Sequence, residues 1–148
     1  MQLRDRPLTA DERADLLDFQ AAGWAGLADF GVLEAPDAVV AAIGAVVPGL
    51  RELDAESRVP ASVAFGALWG EQVHQALGWE WAILPIESSD DEVFVLVSPK
   101  RDYFISPLYL LLPYATESRT DDPSVLLFNL LVDGPLPASH AVAYLELS

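Results

Sequence analysis

The chain has 148 residues, 52% hydrophobic and 21% charged, which suits one domain with one core and excludes disorder. Its formal net charge of −15 would repel a phosphate backbone, so nucleic-acid binding is not expected. Cysteine is absent, which excludes disulfides, thiolate nucleophiles and cysteine-ligated zinc.

The opening "MQLRDRPLTADERADLL" carries charges where a signal peptide needs its apolar core. The apolar runs "LYLLL" and "VLLFNLLV" fall far short of the roughly 18 residues that span a bilayer. A cytoplasmic protein with no membrane partner is expected. The first helix is predicted to start at "TADE", with Thr9 as cap and Glu12 completing a capping box. Leu16, Leu17, Phe19, Trp24, Leu27 and Phe30 would give it a broad apolar face, and Gly31 would stop it. A second helix should open at Pro36, bury Val39, Val40, Ile43, Val46 and Val47, and end at "PGL". "RELDAESR" reads as a polar connector, and a third helix as running from Pro60 to Leu77 with Gly78 as its stop.

Strand patterns follow. "WEWAILPI", "EVFVLVS" and "DYFIS" are β-rich and closely spaced, so they should pair as an antiparallel meander, with Pro85 at a strand end or bulge. "SPLYLLLPYATES" is readable as a helix capped by Ser106 and broken by Pro113, or as a strand. "DDPSVLLFNLLVDG" predicts a helix with Asp122 as cap, Pro123 first and Gly134 as stop; "AVAYLELS" would supply a last strand. Helices early and strands late predict one α+β domain over residues 1–148. Its N-terminal helices would pack on a mainly antiparallel small sheet, with one or two C-terminal helices.

"FGALWGEQVHQALGWEW", residues 65 to 81, concentrates glycines and three of the four tryptophans. Gly66 and Gly70 fall on one helical seam, where a missing Cβ lets another backbone approach. That approach must offset about 1 kcal/mol of helix propensity per glycine. Trp79 should pack back on the last turn, and Trp79 and Trp81 should fill the joint between helix and sheet. Glu71 and His74 are close enough along a helix to meet, as an ordinary surface pair or as an oriented acid–base pair. They fall short of a metal set, and His140 lies far along the chain in a proline-rich loop.

The order "FGALWGEQVHQALGWEW", "EVFVLVSP" and "ISPLYLLL" resembles small uncharacterised bacterial α+β domains with a glycine-spaced helix and an L-G-x-x-W junction. The resemblance spans about residues 60 to 115. It implies a fold and no catalytic residue, cofactor or activity.

Three functions compete on the sequence. With no catalytic motif, metal set or cofactor motif in view, the leading expectation is a non-catalytic binding protein with an acidic surface. Its partner would be a basic protein, for example a toxin held by an inhibitor or immunity-type protein. Asp90, Asp91 and Glu92 in a hairpin turn, and Asp121 and Asp122 at a helix start, are the acidic candidates. The second expectation is a small-molecule-binding domain or enzyme, its pocket between helix 60–77 and the sheet with Trp69, Glu71 and His74 near the mouth. The third is a subunit that self-associates through sheet edges or apolar helix faces; the sequence does not set the oligomeric state.

Overall fold

Thr9 starts the first helix as its sequence predicts. The computed structural model describes residues 5–85, 91–134 and 145–146. In it α1 spans Ala10–Gly26, and both capping-box bonds form: Thr9 N–H donates to Glu12 Oε1 at 2.8 Å, and Glu12 N–H to Thr9 Oγ1 at 3.2 Å. The buried face is narrower than expected. Leu16, Gln20 and Gly23 are buried within α1 and Leu27 just past it, whereas Leu17, Trp24 and Phe30 stay exposed. Gly23 supplies the reason. A Cβ there would stand 2.7 Å from the Ala64 carbonyl oxygen and 2.9 Å from Leu68 Cβ, so α1 lies close against one helix along a thin seam. A 3-10 turn, Ala28–Phe30, separates the end of α1 from Gly31.

Helix α2, Pro36–Val46, has Pro36 in its first turn and buries Val39, Val40 and Ile43, with Val47 just beyond. "PGL" does not end the helical path. A 3-10 segment, Val47–Glu52, continues it. Helix α3 then spans Ala55–Leu77, beginning five residues before Pro60. The true cap is Asp54, whose Oδ1 accepts from Ser57 N–H at 2.8 Å. Pro60 is tolerated inside the helix because the turn it occupies is exposed, so the carbonyl it leaves unpaired at Glu56 faces water.

The "polar connector" is therefore structured, and its arginines are caps. Arg51 donates to the Tyr114 and Arg119 carbonyls and lies 3.8 Å over the Tyr114 ring. Arg58 donates to the Leu53 carbonyl at 2.9 Å and the Arg51 carbonyl at 2.6 Å.

Gly78 ends α3 at φ 73°, a conformation that suits glycine, and its N–H bonds the His74 carbonyl at 2.9 Å. Strands β1 (Glu80–Pro85), β2 (Glu92–Val97) and β3 (Tyr103–Ile105) then form the expected antiparallel meander, with Trp81 opposite Leu96 and Pro85 at the strand end. β4, Leu145–Glu146, pairs in parallel beside β3. On the free side of β1, Arg6 and Ile83 exchange backbone bonds of 2.9 and 2.8 Å. Both sheet faces are buried: Leu96 and Ile105 on one, Ala82, Leu84, Val95 and Val97 on the other. That is why β1 and β2 read as continuous apolar runs rather than alternating ones.

The ambiguous segment is a 3-10 turn, Pro107–Tyr109, followed by α4, Leu112–Ala115. Pro113 sits in the first turn of α4, where a missing N–H costs nothing, so it opens a helix rather than breaking one. Helix α5 spans Ser124–Asp133, with Pro123 at the cap position rather than the first helical one; Asp122, one residue earlier, accepts from Ser124 N–H at 2.8 Å. No described helix is long and apolar enough to cross a membrane.

Of the two glycines of α3, Gly66 brings a backbone in close as expected, whereas Gly70 makes room for side chains. A Cβ on Gly66 would stand 2.1 Å from the Pro107 carbonyl oxygen; one on Gly70 would stand 2.5 Å from Trp81 Cη2 and 2.9 Å from Pro107 Cβ. Trp69 is fully buried between α3 and α5, its Nε1–H donating to the Ser124 carbonyl at 2.9 Å. Trp79 is buried in the same core.

Candidate functional site

One cavity, of about 420 Å³, opens where α1, the C-terminal half of α3 and β1 meet. From α1 come Arg13, Leu16, Leu17 and Gln20, four positions on one helical face. From α3 come Glu71 and His74, and from β1 Glu80 and Trp81. Leu8, just before α1, closes one side.

A clamp on Arg6 fixes this arrangement. Its guanidinium binds Glu12 on α1 through bonds of 2.8 and 2.9 Å, and Glu92 on β2 through bonds of 3.0 and 3.1 Å. Hydrogen bonding from Arg6, and then from Thr9, holds the Glu12 carboxyl at about 2, against an ordinary 4.5. The same two carboxylates raise the Arg6 pKa. Leu8 and Arg13 flank this clamp in sequence, so it sets where they stand relative to the sheet.

Glu71 and His74 both face the cavity, but they are held by the chain that follows them rather than by each other. His74 Nδ1 is 2.6 Å from the Trp79 carbonyl oxygen. A carbonyl only accepts, so Nδ1 carries the hydrogen, and in the neutral ring Nε2 keeps the lone pair. Trp81 Nε1–H donates to Glu71 Oε1 at 3.4 Å. The turn at Gly78 thus returns the chain onto α3 and orients both polar groups. Glu80 accepts from Arg101 at 3.2 Å.

Gln20 is the unusual member. It is 7% exposed, and its side chain makes no hydrogen bond with any described residue. The Arg13 side chain, which is exposed, likewise makes no ion pair or hydrogen bond with one. Trp69 stands apart from this cavity: it is 0% exposed in the core, and Trp81 takes the aromatic place at the wall.

The acidic candidates are dispersed. Asp90 and His140 lie outside the described residues. Asp91 is exposed just before β2, and Glu92 is held by Arg6. Asp121 pairs with Arg119 at 3.1 Å, which lowers its pKa, and Asp122 accepts from both Ser124 N–H and Ser124 Oγ–H. No three His, Asp or Glu side chains among the described residues gather as a metal site.

A second hollow of about 540 Å³ lies between α1, the N-terminal half of α3 and β2, walled by Phe19, Val63, Phe94 and Leu108. Its polar wall residues are Tyr109 and Glu92, the latter already bound to Arg6. Specific ligand sites combine an apolar wall with a few convergent polar groups, and the first cavity fits that description better.

Sequence reasoning missed Arg13, Gln20 and Glu80. Gln20 had a signal: with Leu16, Gly23 and Leu27 it makes a 4-3-4 spacing, so it is the one polar residue on the buried stripe of α1. The chain matches no family model, and comparison with curated proteins and with solved structures likewise finds no match.

Proposed function

We propose that this protein is a small-molecule-binding domain whose ligand sits between α1, α3 and β1. Gln20 is the observation that carries the reading. The residue is 7% exposed, its amide has no hydrogen-bond partner among the described residues, and it lines the cavity, where the amide atoms keep the solvent access a ligand would use. On a helix stripe otherwise made of Leu16, Gly23 and Leu27, an apolar side chain would pack at least as well, so the amide needs another use. The amide is useful there once a polar ligand enters. His74 Nε2, Glu71 and Arg13 converge on the same space, and Trp81, Leu8 and Leu16 supply apolar wall.

The acidic-surface reading rests on the net charge of −15. It is the weaker one, since Glu92, Asp121 and Asp122 already hold partners within the chain.

Gln20→Met separates binding from folding. The thioether matches the amide in length and loses no protein hydrogen bond, so the variant should be at least as stable as the parent. A panel of small polar and aromatic metabolites, screened by thermal shift, should contain compounds that raise the Tm of the parent and leave Gln20→Met unmoved. A panel that stabilises both proteins alike, or neither, refutes the proposal.

A further inference from the structure

The charges on the cavity wall narrow the ligand class, and this step rests on the binding reading above. The chain has eight basic and twenty-three acidic residues, so a guanidinium has carboxylates to choose from. Among the described arginines, Arg6, Arg58, Arg101 and Arg119 are each in an ion pair, and Arg51 is spent on backbone carbonyls and the Tyr114 ring. Arg13 is not, and it lines the cavity. Its planar fork suits a carboxylate. Seven residues on, about 10 Å further along the same helix face, Gln20 offers both a donor and an acceptor.

The facing wall has the opposite character. Glu71, Glu80 and, in the neutral ring, His74 Nε2 all accept hydrogen bonds. Glu80 is already paired with Arg101, so Glu71 and Arg13 balance across the lining, inside a chain that is itself at −15. A phosphorylated or multiply anionic ligand is therefore disfavoured. A simple cation would leave Arg13 unanswered. A ligand with a carboxylate at one end and an ammonium at the other satisfies both walls. Leu8, Leu16, Leu17 and Trp81 ask in addition for an apolar body. At about 420 Å³ the cavity falls in the lower part of the range for small-molecule sites.

We infer that the cavity binds a free amino acid with a large apolar side chain. The α-carboxylate goes to Arg13, and the α-ammonium to Glu71 and the acceptors beside it. The side chain lies against Trp81 and the α1 leucines.

L-phenylalanine, L-leucine, phenethylamine and 3-phenylpropionate form a set that removes one charge at a time. Each is titrated into the full chain while the Trp81 Nε1–H resonance is followed by NMR. Phenylalanine or leucine is expected to bind at least about tenfold more tightly than either single-charge analogue, the worth of one charged hydrogen bond. Arg13→Met should bring phenylalanine down to the level of phenethylamine, and Glu71→Gln to that of 3-phenylpropionate. Circular dichroism verifies that both variants fold. Phenethylamine or 3-phenylpropionate binding as well as phenylalanine overturns the zwitterion and leaves the cavity a ligand site. Unchanged phenylalanine affinity in Arg13→Met also overturns it. If none of the four compounds moves Trp81, the amino-acid assignment falls, and the metabolite panel separately decides whether the binding reading falls with it.

Discussion

Gly66 and Gly70 sit one helical turn apart and meet different neighbours, which makes them separable. At Gly66 the obstacle to a Cβ is the backbone of Pro107, at 2.1 Å from the carbonyl oxygen. Backbone packed in a core cannot give way locally. Gly66→Ala should destabilise the protein by about 1–3 kcal/mol net, even though alanine favours helix by about 1 kcal/mol. At Gly70 the obstacle is the Trp81 ring, half-buried and bordering the cavity. Gly70→Ala should cost less stability, because the indole can swing aside, and should weaken ligand binding because it swings into the site. Urea unfolding of both variants, with ligand titration of the second, tests the pair. Wild-type stability in Gly66→Ala would mean the close approach is not what holds the joint. The spacing of these glycines was legible from sequence because helical period alone puts them on one seam. Trp69 and Trp81 were not separable that way. Both are indoles near the seam, and only the packing of α5 on one and the opening beside the other tells core from wall.

Among the elements, α1 depends most on ionisation. Its start is tied to the sheet through Arg6, Glu12 and Glu92. The Glu12 carboxyl, depressed to about 2 in the folded chain, has an ordinary value of 4.5. Its folded pKa lies below its unfolded one, so the clamp contributes fully above about 4.5 and is lost as pH falls toward 2. Unfolding free energies of the parent and Glu12→Gln, measured across that window, should differ at pH 6 and converge near the acid end. A constant difference down to the lowest pH would show that Glu12 acts through packing. Because Leu8 and Arg13 flank the clamp, ligand affinity should weaken over the same window. Element starts were partly legible. Pro36 marked its helix correctly, because only the first turn leaves N–H groups free. Pro60 misled, since an exposed second turn also tolerates proline, and the cap at Asp54 was hidden inside an acidic stretch. Pro113 misled in the other direction, opening a short helix.

Over the whole molecule, the class of fold followed from order: apolar helical stripes first, short β-rich runs after, and connections too short for parallel crossovers. The cavity did not follow, because no local pattern contains it. Arg13 and Gln20 reach it from one end of the chain, and Glu71, His74 and Trp81 from the middle. Those groups meet only because Gly23 lets α1 lie close on α3 and Gly78 folds β1 back beside it. The whole claim of function rests on that meeting point. A map of every amide, Gln side-chain and indole resonance during titration with a ligand from the metabolite panel tests it most directly. The Gln20 side-chain amide and Trp81 Nε1–H should shift together and exchange more slowly with solvent, while Trp69 Nε1–H, bound to Ser124, stays in place. A ligand that binds while Gln20 and Trp81 remain unmoved would contradict the assignment of the cavity as the site.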